Sequence, residues 1–165
     1  ILIIAPRHIN RVKKIKALCD KLNFTSQILD KNKLILKNKE IIIINSFGEL
    51  SKFLKYAKSV FIGKSTIQKI KDESGQNPLE AVYLGCKIYH GPYFYNFKEI
   101  YEKLLQNKIS KKIDNQKELA KNLIIDLKVP KKKNNKFHLF LRKISKETFK
   151  NNMKRINFFL KNEIV

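Results

Sequence analysis

The stretch SVFIGKSTIQKIKDESGQNPLEAVYLGCKIYHGP, residues 59–92, decides the fold. It opens on an apolar run, residues 59–63, that ends at a glycine and has the length of a buried strand. A polar loop follows over residues 64–76. Asn77-Pro78 then starts a helix that runs to Leu84, since Asn suits the position before a helix and Pro its first turn. Gly85 closes that helix, residues 87–90 read as a second buried strand, and Gly91-Pro92 turns the chain. Two strands joined through a helix pair in parallel, whereas a tight hairpin would make them antiparallel.

The same alternation extends in both directions. Upstream, residues 1–5 form an apolar strand ending at Pro6, and Ile9, Val12, Ile15, Leu18 and Leu22 recur at helical spacing. Residues 25–29 and 40–45 read as strands, Asn45-Ser46-Phe47-Gly48 as a turn, and residues 49–57 as a short helix. Downstream, Asn96 is expected to cap a helix over residues 97–106. A weak strand near Ile109 precedes a helix over residues 116–127. This order predicts an α/β, Rossmann-like fold with a mainly parallel sheet flanked by helices. Ligands then belong in the crevice beyond the carboxyl ends of the strands. From Lys128 the pattern changes. We expect one domain over residues 1–127, and over residues 128–165 a basic linker, Lys131-Lys132-Lys133-Asn134-Asn135, with a C-terminal helix. That helix, residues 145–161, carries Phe149, Met153, Ile156 and Leu160 on one face among many Lys. Docking on the same protein is the expectation for it, with a membrane surface as the alternative.

The 165 residues leave room for one ordinary domain, with or without a tail. The formal charge of +22 points to anionic surroundings, but it comes from 32 Lys against 4 Arg. Lys is a point charge without the bidentate fork that reads phosphates and bases. The chain is also crowded with Ile and Asn, types that AT-rich codons encode, so compositional drift explains much of the charge. Attraction to an anionic membrane surface accounts for more of it. No aromatic-basic RNA motif, zinc-finger spacing or basic zipper is present, and nucleic acid is not expected as a partner. No run approaches the ~18 apolar residues of a membrane span. Cys19 and Cys86 are too few for a disulfide scaffold or a zinc site, which fits a reducing, cytoplasmic setting. The chain begins at Ile1 without an initiator Met or a signal peptide, so we expect the tail half of a longer protein.

Four loops after strand ends carry polar residues that the strands do not need. Pro6-Arg7-His8 places an Arg beside a helix start, where it suits a phosphate, although a surface Arg would look the same. In Ser46-Phe47-Gly48-Glu49, Gly permits close backbone approach, and Glu49 serves either a ligand or its own helix. Gly63-Lys64-Ser65-Thr66 offers small hydroxyls, or is an ordinary turn. In Ser74-Gly75-Gln76-Asn77-Pro78-Leu79-Glu80, the Glu80 carboxylate can accept two hydroxyl hydrogen bonds, as from a ribose, or can complement the helix dipole. No Ser-His-Asp set, His/Cys metal spacing, Walker loop or GxGxxG is present.

In this order the set resembles the Kdo transferases (3-deoxy-D-manno-octulosonic acid transferases). The motifs that carry it are Ala5-Pro6-Arg7-His8, Phe47-Gly48-Glu49-Leu50, Val60-Phe61-Ile62-Gly63-Lys64-Ser65, Gly75-Gln76-Asn77-Pro78-Leu79-Glu80, and Gly91-Pro92 through Asn96-Phe97-Lys98-Glu99-Ile100. The likeness covers roughly residues 1–127. It implies the C-terminal, donor-binding half of a GT-B glycosyltransferase that moves Kdo from CMP-Kdo to lipid A in lipopolysaccharide synthesis. It also implies work on the cytoplasmic face of the bacterial inner membrane. By resemblance, Pro6, Arg7, Phe47, Gly48, Glu49, Asn77, Pro78, Leu79 and Glu80 line the CMP site. Arg7 meets the phosphate, the Phe47–Glu49 turn the cytosine and Glu80 the ribose. Ser65 and Gln76 are further donor contacts. No cofactor or metal is expected, because fixed positive charge can stabilise a departing nucleoside monophosphate. The family's catalytic base is a Glu of the N-terminal domain, so none is assigned in this chain. Two departures stand out: Lys64 replaces the second Gly of the GGS loop, and Ser74 replaces a Gly in a longer 65–75 loop. The alternatives are another GT-B nucleotide-sugar transferase and a non-enzymatic basic module that binds nucleic acid or membrane.

Overall fold

A computed structural model describes residues 1–131 and 135–162. The chain forms two compact units, Ile1–Tyr56 and Ala57–Val165. The domain boundary expected near residue 127 thus falls inside the second unit.

In the first unit β1 (Leu2–Ile4), β2 (Ser26–Leu29) and β3 (Ile41–Ile44) form a sheet of order β1-β3-β2. Both pairings are parallel, with Ile4 opposite Ile43 and Leu29 opposite Ile44. The central strand is Ile41-Ile42-Ile43-Ile44, buried on both faces, as the middle strand of a parallel sheet must be. Helix α1 (Val12–Lys21) follows a 3-10 turn, Ile9–Arg11, and supplies the crossover. Its Val12 and Cys19 pack with Ile41 and Ile43, and Ile4, Ile15 and Ile28 flank them. β1 is an edge strand, and its Leu2 and Ile3 remain partly exposed. Helix α2 spans only Leu50–Leu54, shorter than the expected 49–57.

The second unit is also a three-stranded parallel sheet, but its strands lie in sequence order. β4 (Ser59–Ile62), β5 (Lys87–His90) and β6 (Ser110–Lys112) pair in parallel in that order. Crossovers run through α3 (Leu79–Tyr83) and α4 (Lys98–Gln106). Residues 87–90 fall where the sequence puts them, and Gly85 ends α3 at φ +73°, the left-handed cap that Gly favours. Asn96 does not cap α4: the chain makes a 3-10 turn over Tyr95–Phe97, and Phe97 takes the cap position without a side-chain bond. Helix α5 (Gln116–Lys128) is capped by Asn115, whose side-chain Oδ1 accepts from Glu118 N at 2.9 Å. Asp126, at its end, is buried and clamps the helix to the sheet. It accepts from Ser59 Oγ (2.5 Å), Lys87 Nζ (2.5 Å) and Tyr89 OH (2.7 Å). Burial works to raise its carboxyl pKa, but the three hydrogen bonds prevail and hold it below the usual carboxylate value.

Helix α6 spans Asn135–Asn162, beginning ten residues before the expected 145. It packs on α3, with Phe137 and Phe140 buried. Of the expected linker, residues 132–134 lie outside the described residues. The α/β class with parallel pairing is borne out in both units. Among the described residues no helix is long and apolar enough to cross a membrane. Among the described residues, five other than Gly adopt left-handed backbone, Asn23, Asn32, Asn38, Lys64 and Lys108, with φ between 55° and 64°.

Candidate functional site

Parallel strands send all their carboxyl ends to one edge, so each unit has an edge where loops gather. In the first unit Pro6 and Arg7 follow β1, and Phe47, Gly48 and Glu49 follow β3, its neighbour. Those predicted residues are therefore brought to one edge. Arg7 is exposed, and among the described residues its guanidinium makes no hydrogen bond or ion pair. Phe47 is 70% exposed, unusual for an aromatic ring unless something covers it. Gly48 has φ +78°, and a Cβ there would meet open space, so the turn leaves its backbone approachable. Glu49 sits at the N-cap of α2 without capping it; its carboxylate pairs with Lys52 at 2.7 Å.

Beside this turn lies a groove of about 450 Å³ between the end of β3 and the loop after β2. Ser46, Glu49, Lys52 and Phe53 line one side and Asp30, Lys33 and Leu34 the other. Asn45 ties the walls together by donating to Asp30 Oδ1 at 2.7 Å. Sequence reasoning missed the Lys33–Leu34 wall. Its signal was the apolar triplet Leu34-Ile35-Leu36 in a Lys- and Asn-rich loop that fits neither strand nor helix spacing.

In the second unit the loop residues are fixed by one another. Ser65 is fully buried; its hydroxyl donates to Ile62 O (2.6 Å) and accepts from Gly91 N (2.8 Å). Ser65 O accepts from Tyr93 N at 2.9 Å. The side chain predicted as a donor contact is thus spent on joining the loop after β4 to the loop after β5. Gly91 is required by that junction, because a Cβ there would run into the Ser65 carbonyl and the Thr66 methyl. Lys64 is half-buried at φ +61°, a left-handed backbone that Gly adopts freely and Lys only under strain.

The segment from Ser74 to Glu80 is held as firmly. Ser74 is buried, its Oγ accepting from Tyr95 N (3.3 Å) and its carbonyl from Asn96 N (3.2 Å). Gly75, at φ +85°, lies against the Phe94 backbone, where a Cβ would come within 3.0 Å. Gln76 O accepts from the buried Tyr101 hydroxyl at 2.8 Å. Asn77 Oδ1 accepts from Leu79 N at 3.0 Å, and Pro78 behind it is fully buried and takes the N-cap. These bonds leave Asn77 and Glu80 exposed and Gln76 and Leu79 partly so, on a rigid backbone. The segment 91–97 explains itself in the same way: it bonds both neighbouring loops.

His90, at the end of β5, is fully buried against the rings of Phe94 and Tyr101. Gly91 O can only accept, so His90 Nδ1 carries the proton (2.7 Å), and Nε2 accepts from Ser110 Oγ (3.3 Å). Burial holds this imidazole below its ordinary pKa, and the bond to Gly91 offsets only part of that. Among the described residues no group of three or more His, Cys, Asp or Glu side chains could hold a metal ion.

No protein-family model matches the chain. Among curated proteins it is 33% identical over 122 residues to the 3-deoxy-D-manno-octulosonic acid transferase of Rickettsia prowazekii, covering 74% of this chain and 25% of the relative. It is 28% identical over 106 residues to the enzyme of the same name from Haemophilus influenzae, covering 64% and 24%. The chain spans about a quarter of the length of the curated relatives it matches. Among solved structures, the C-terminal CMP-Kdo binding domain of WaaA from Acinetobacter baumannii superposes with a TM-score of 0.72 at 21% identity, over 84% of this chain and 72% of that one. That likeness is one of fold. Over the stretch they share, the chain is similar in sequence to the 3-deoxy-D-manno-octulosonic acid transferases, and its fold is that of the WaaA domain.

Proposed function

We propose that this chain is the donor-binding part of a glycosyltransferase that moves Kdo from CMP-Kdo to lipid A. The observation that supports it best is the chemistry at the carboxyl edges. An uncommitted Arg7, an open Phe47-Gly48-Glu49 turn and a rigid Asn77–Glu80 segment occur in the order in which Kdo transferases carry them. Arg7 holds the donor phosphate and stabilises its charge as CMP departs. The turn at Gly48 lets the cytosine approach the backbone beside Phe47. Glu80 accepts the ribose hydroxyls, with Gln76, Asn77 and Leu79 along the same segment and Pro6 beside Arg7. Ser65 acts by fixing the loops. In the reaction the acceptor hydroxyl oxygen bonds to the anomeric carbon of Kdo and its proton passes to a base supplied outside this chain. The bond from that carbon to the phosphate oxygen breaks, and its electron pair leaves with CMP. With Arg7 at the phosphate, the step needs no divalent metal. The work takes place at the cytoplasmic face of the inner membrane, where the net charge of +22 favours an anionic surface.

Titration calorimetry of the chain with CMP, UMP and AMP is the test. CMP should bind in preference to the other two. Arg7→Ala should weaken it by roughly ten- to hundredfold, the value of a charge-assisted hydrogen bond of ~1.5–3 kcal/mol, with an unchanged melting temperature. Glu80→Gln should weaken CMP more than free cytosine. Equal affinity for all three nucleotides, or no binding by a folded sample, refutes the reading.

A further inference from the structure

Helix α6 has two different apolar faces. Its first half docks on its own unit through Phe137 and Phe140, with His138 edge-on to the Tyr83 ring at 5.6 Å. Glu147 continues that side, pairing with Lys103 of α4 at 3.1 Å. Its second half carries Phe149, Met153, Ile156, Phe159 and Leu160, all exposed. At 3.6 residues per turn these five fall on one stripe, roughly 150° around the helix from the docked side. The stripe therefore points away from the unit to which the helix is bound.

The charges around the stripe tell what should cover it. Lys146, Lys150, Lys154 and Lys161 run along one flank and Arg155 lies beyond the other, while Glu147, turned inward, is the one acidic residue of the helix. A protein partner would have to bring both an apolar groove and a dense acidic rim. An anionic lipid surface offers both at once, acyl chains below and phosphates above. Long Lys side chains can keep their ammonium groups among the headgroups while aromatic and aliphatic side chains sink past them.

We propose that residues 146–161 of α6 lie in the plane of an anionic bilayer surface, with the Phe149–Leu160 stripe inserted and the flanking Lys on lipid phosphates. This deepens the membrane-surface part of the proposed function and rests on it, but it does not depend on the nucleotide site.

The test is sedimentation of the full chain with vesicles of phosphatidylcholine containing 30 mol% phosphatidylglycerol, and with phosphatidylcholine alone, at low and high salt. Binding should require the anionic lipid and fall as salt rises. Two phenylalanines of the same helix give the decisive comparison. Phe149→Ser, on the stripe, should weaken binding by roughly tenfold, the value of burying one such side chain. Phe158→Ser, off the stripe, should change it by no more than about twofold. Lys150→Glu with Lys154→Glu should weaken it further. Circular dichroism checks the helix, and since the chain has no Trp, Phe149→Trp should shift its emission to the blue on vesicles while Phe158→Trp should not. Vesicle binding that treats the two Phe positions alike overturns the inference and leaves membrane association standing. No binding to anionic vesicles overturns both. A chain that self-associates in sedimentation velocity and becomes monomeric with Phe149→Ser makes the stripe an interface between copies, and also overturns it. CMP affinity should be the same in all these variants.

Discussion

Gly91→Ala tests the junction between the loops after β4 and β5. The added methyl would run into the Ser65 carbonyl, which is backbone and cannot swing aside, and into the Thr66 methyl. Relief requires the two loops to part, which stretches Gly91 N to Ser65 Oγ (2.8 Å) and Tyr93 N to Ser65 O (2.9 Å). Overpacking of this kind costs ~1–3 kcal/mol, and a buried N–H left without a partner ~1–3 kcal/mol. Because the same movement relieves the first as it creates the second, we expect about 2–4 kcal/mol in total. For a chain of this length that is a fall in melting temperature of roughly 5–15 °C. Ser65→Ala removes the hydroxyl but leaves the carbonyl, and should cost about 1–3 kcal/mol. The double variant should cost less than the two singles together, by ~0.5–1.5 kcal/mol, since the Gly91–Ser65 bond can be lost only once. Urea unfolding of the four proteins gives all the terms, and calorimetry with CMP on the folded samples completes the set. A Gly91→Ala protein as stable as the parent, or strict additivity, refutes the junction. Ser65→Ala that loses CMP affinity while keeping full stability would make Ser65 a donor contact after all.

Two other perturbations follow from the backbone and from a buried histidine. Lys64→Gly removes a left-handed non-glycine residue, and against the entropy that Gly adds to the unfolded chain should still stabilise by about 0.5–1 kcal/mol, read by urea unfolding. His90 titrates below its ordinary 6.5 in the folded chain, so the unfolded chain takes up the proton first. Its contribution is therefore fully present above about pH 6.5 and is lost as pH falls below that. Stability should decline between pH 7 and 5, and His90→Asn should flatten that slope. Asp126, whose folded pKa is depressed, contributes above its unfolded value of 3.8 and loses that contribution only below it.

The fold was legible where physics leaves few choices. A run such as Ile41-Ile42-Ile43-Ile44 between polar loops can only be a central strand, and Gly85 after Leu84 marks a helix end. The candidate site was legible as a set of loops, because Arg7, Gly48 and Glu80 are residue types that strand ends do not require. What the sequence hid was which polar groups the fold itself would use. Ser65 and Asn77 look alike as loop polars, yet one is buried with its hydroxyl spent on two backbone groups and the other is exposed. Asp126 looked like one more charge on a helix and proved to be a buried clamp with three donors. Most of those bonds reach partners 26 and more residues away, which no local pattern records. Helix α6 shows the same dependence on distant partners. Periodicity found the stripe, but only the position of Phe137, Phe140 and Glu147 shows that it points outward.

The left-handed turns have a consequence for how this chain ages in evolution. Gly codons open with two guanines, whereas Asn and Lys codons open with two adenines. Among the described residues, each of the five non-glycine left-handed positions holds Asn or Lys. Asn tolerates such backbone at little cost, and Lys at more. A genome drifting toward A and T can therefore replace turn glycines one at a time while every core residue stays in place. Thermal tolerance erodes in small steps that no single substitution reveals, and the load falls on the loops.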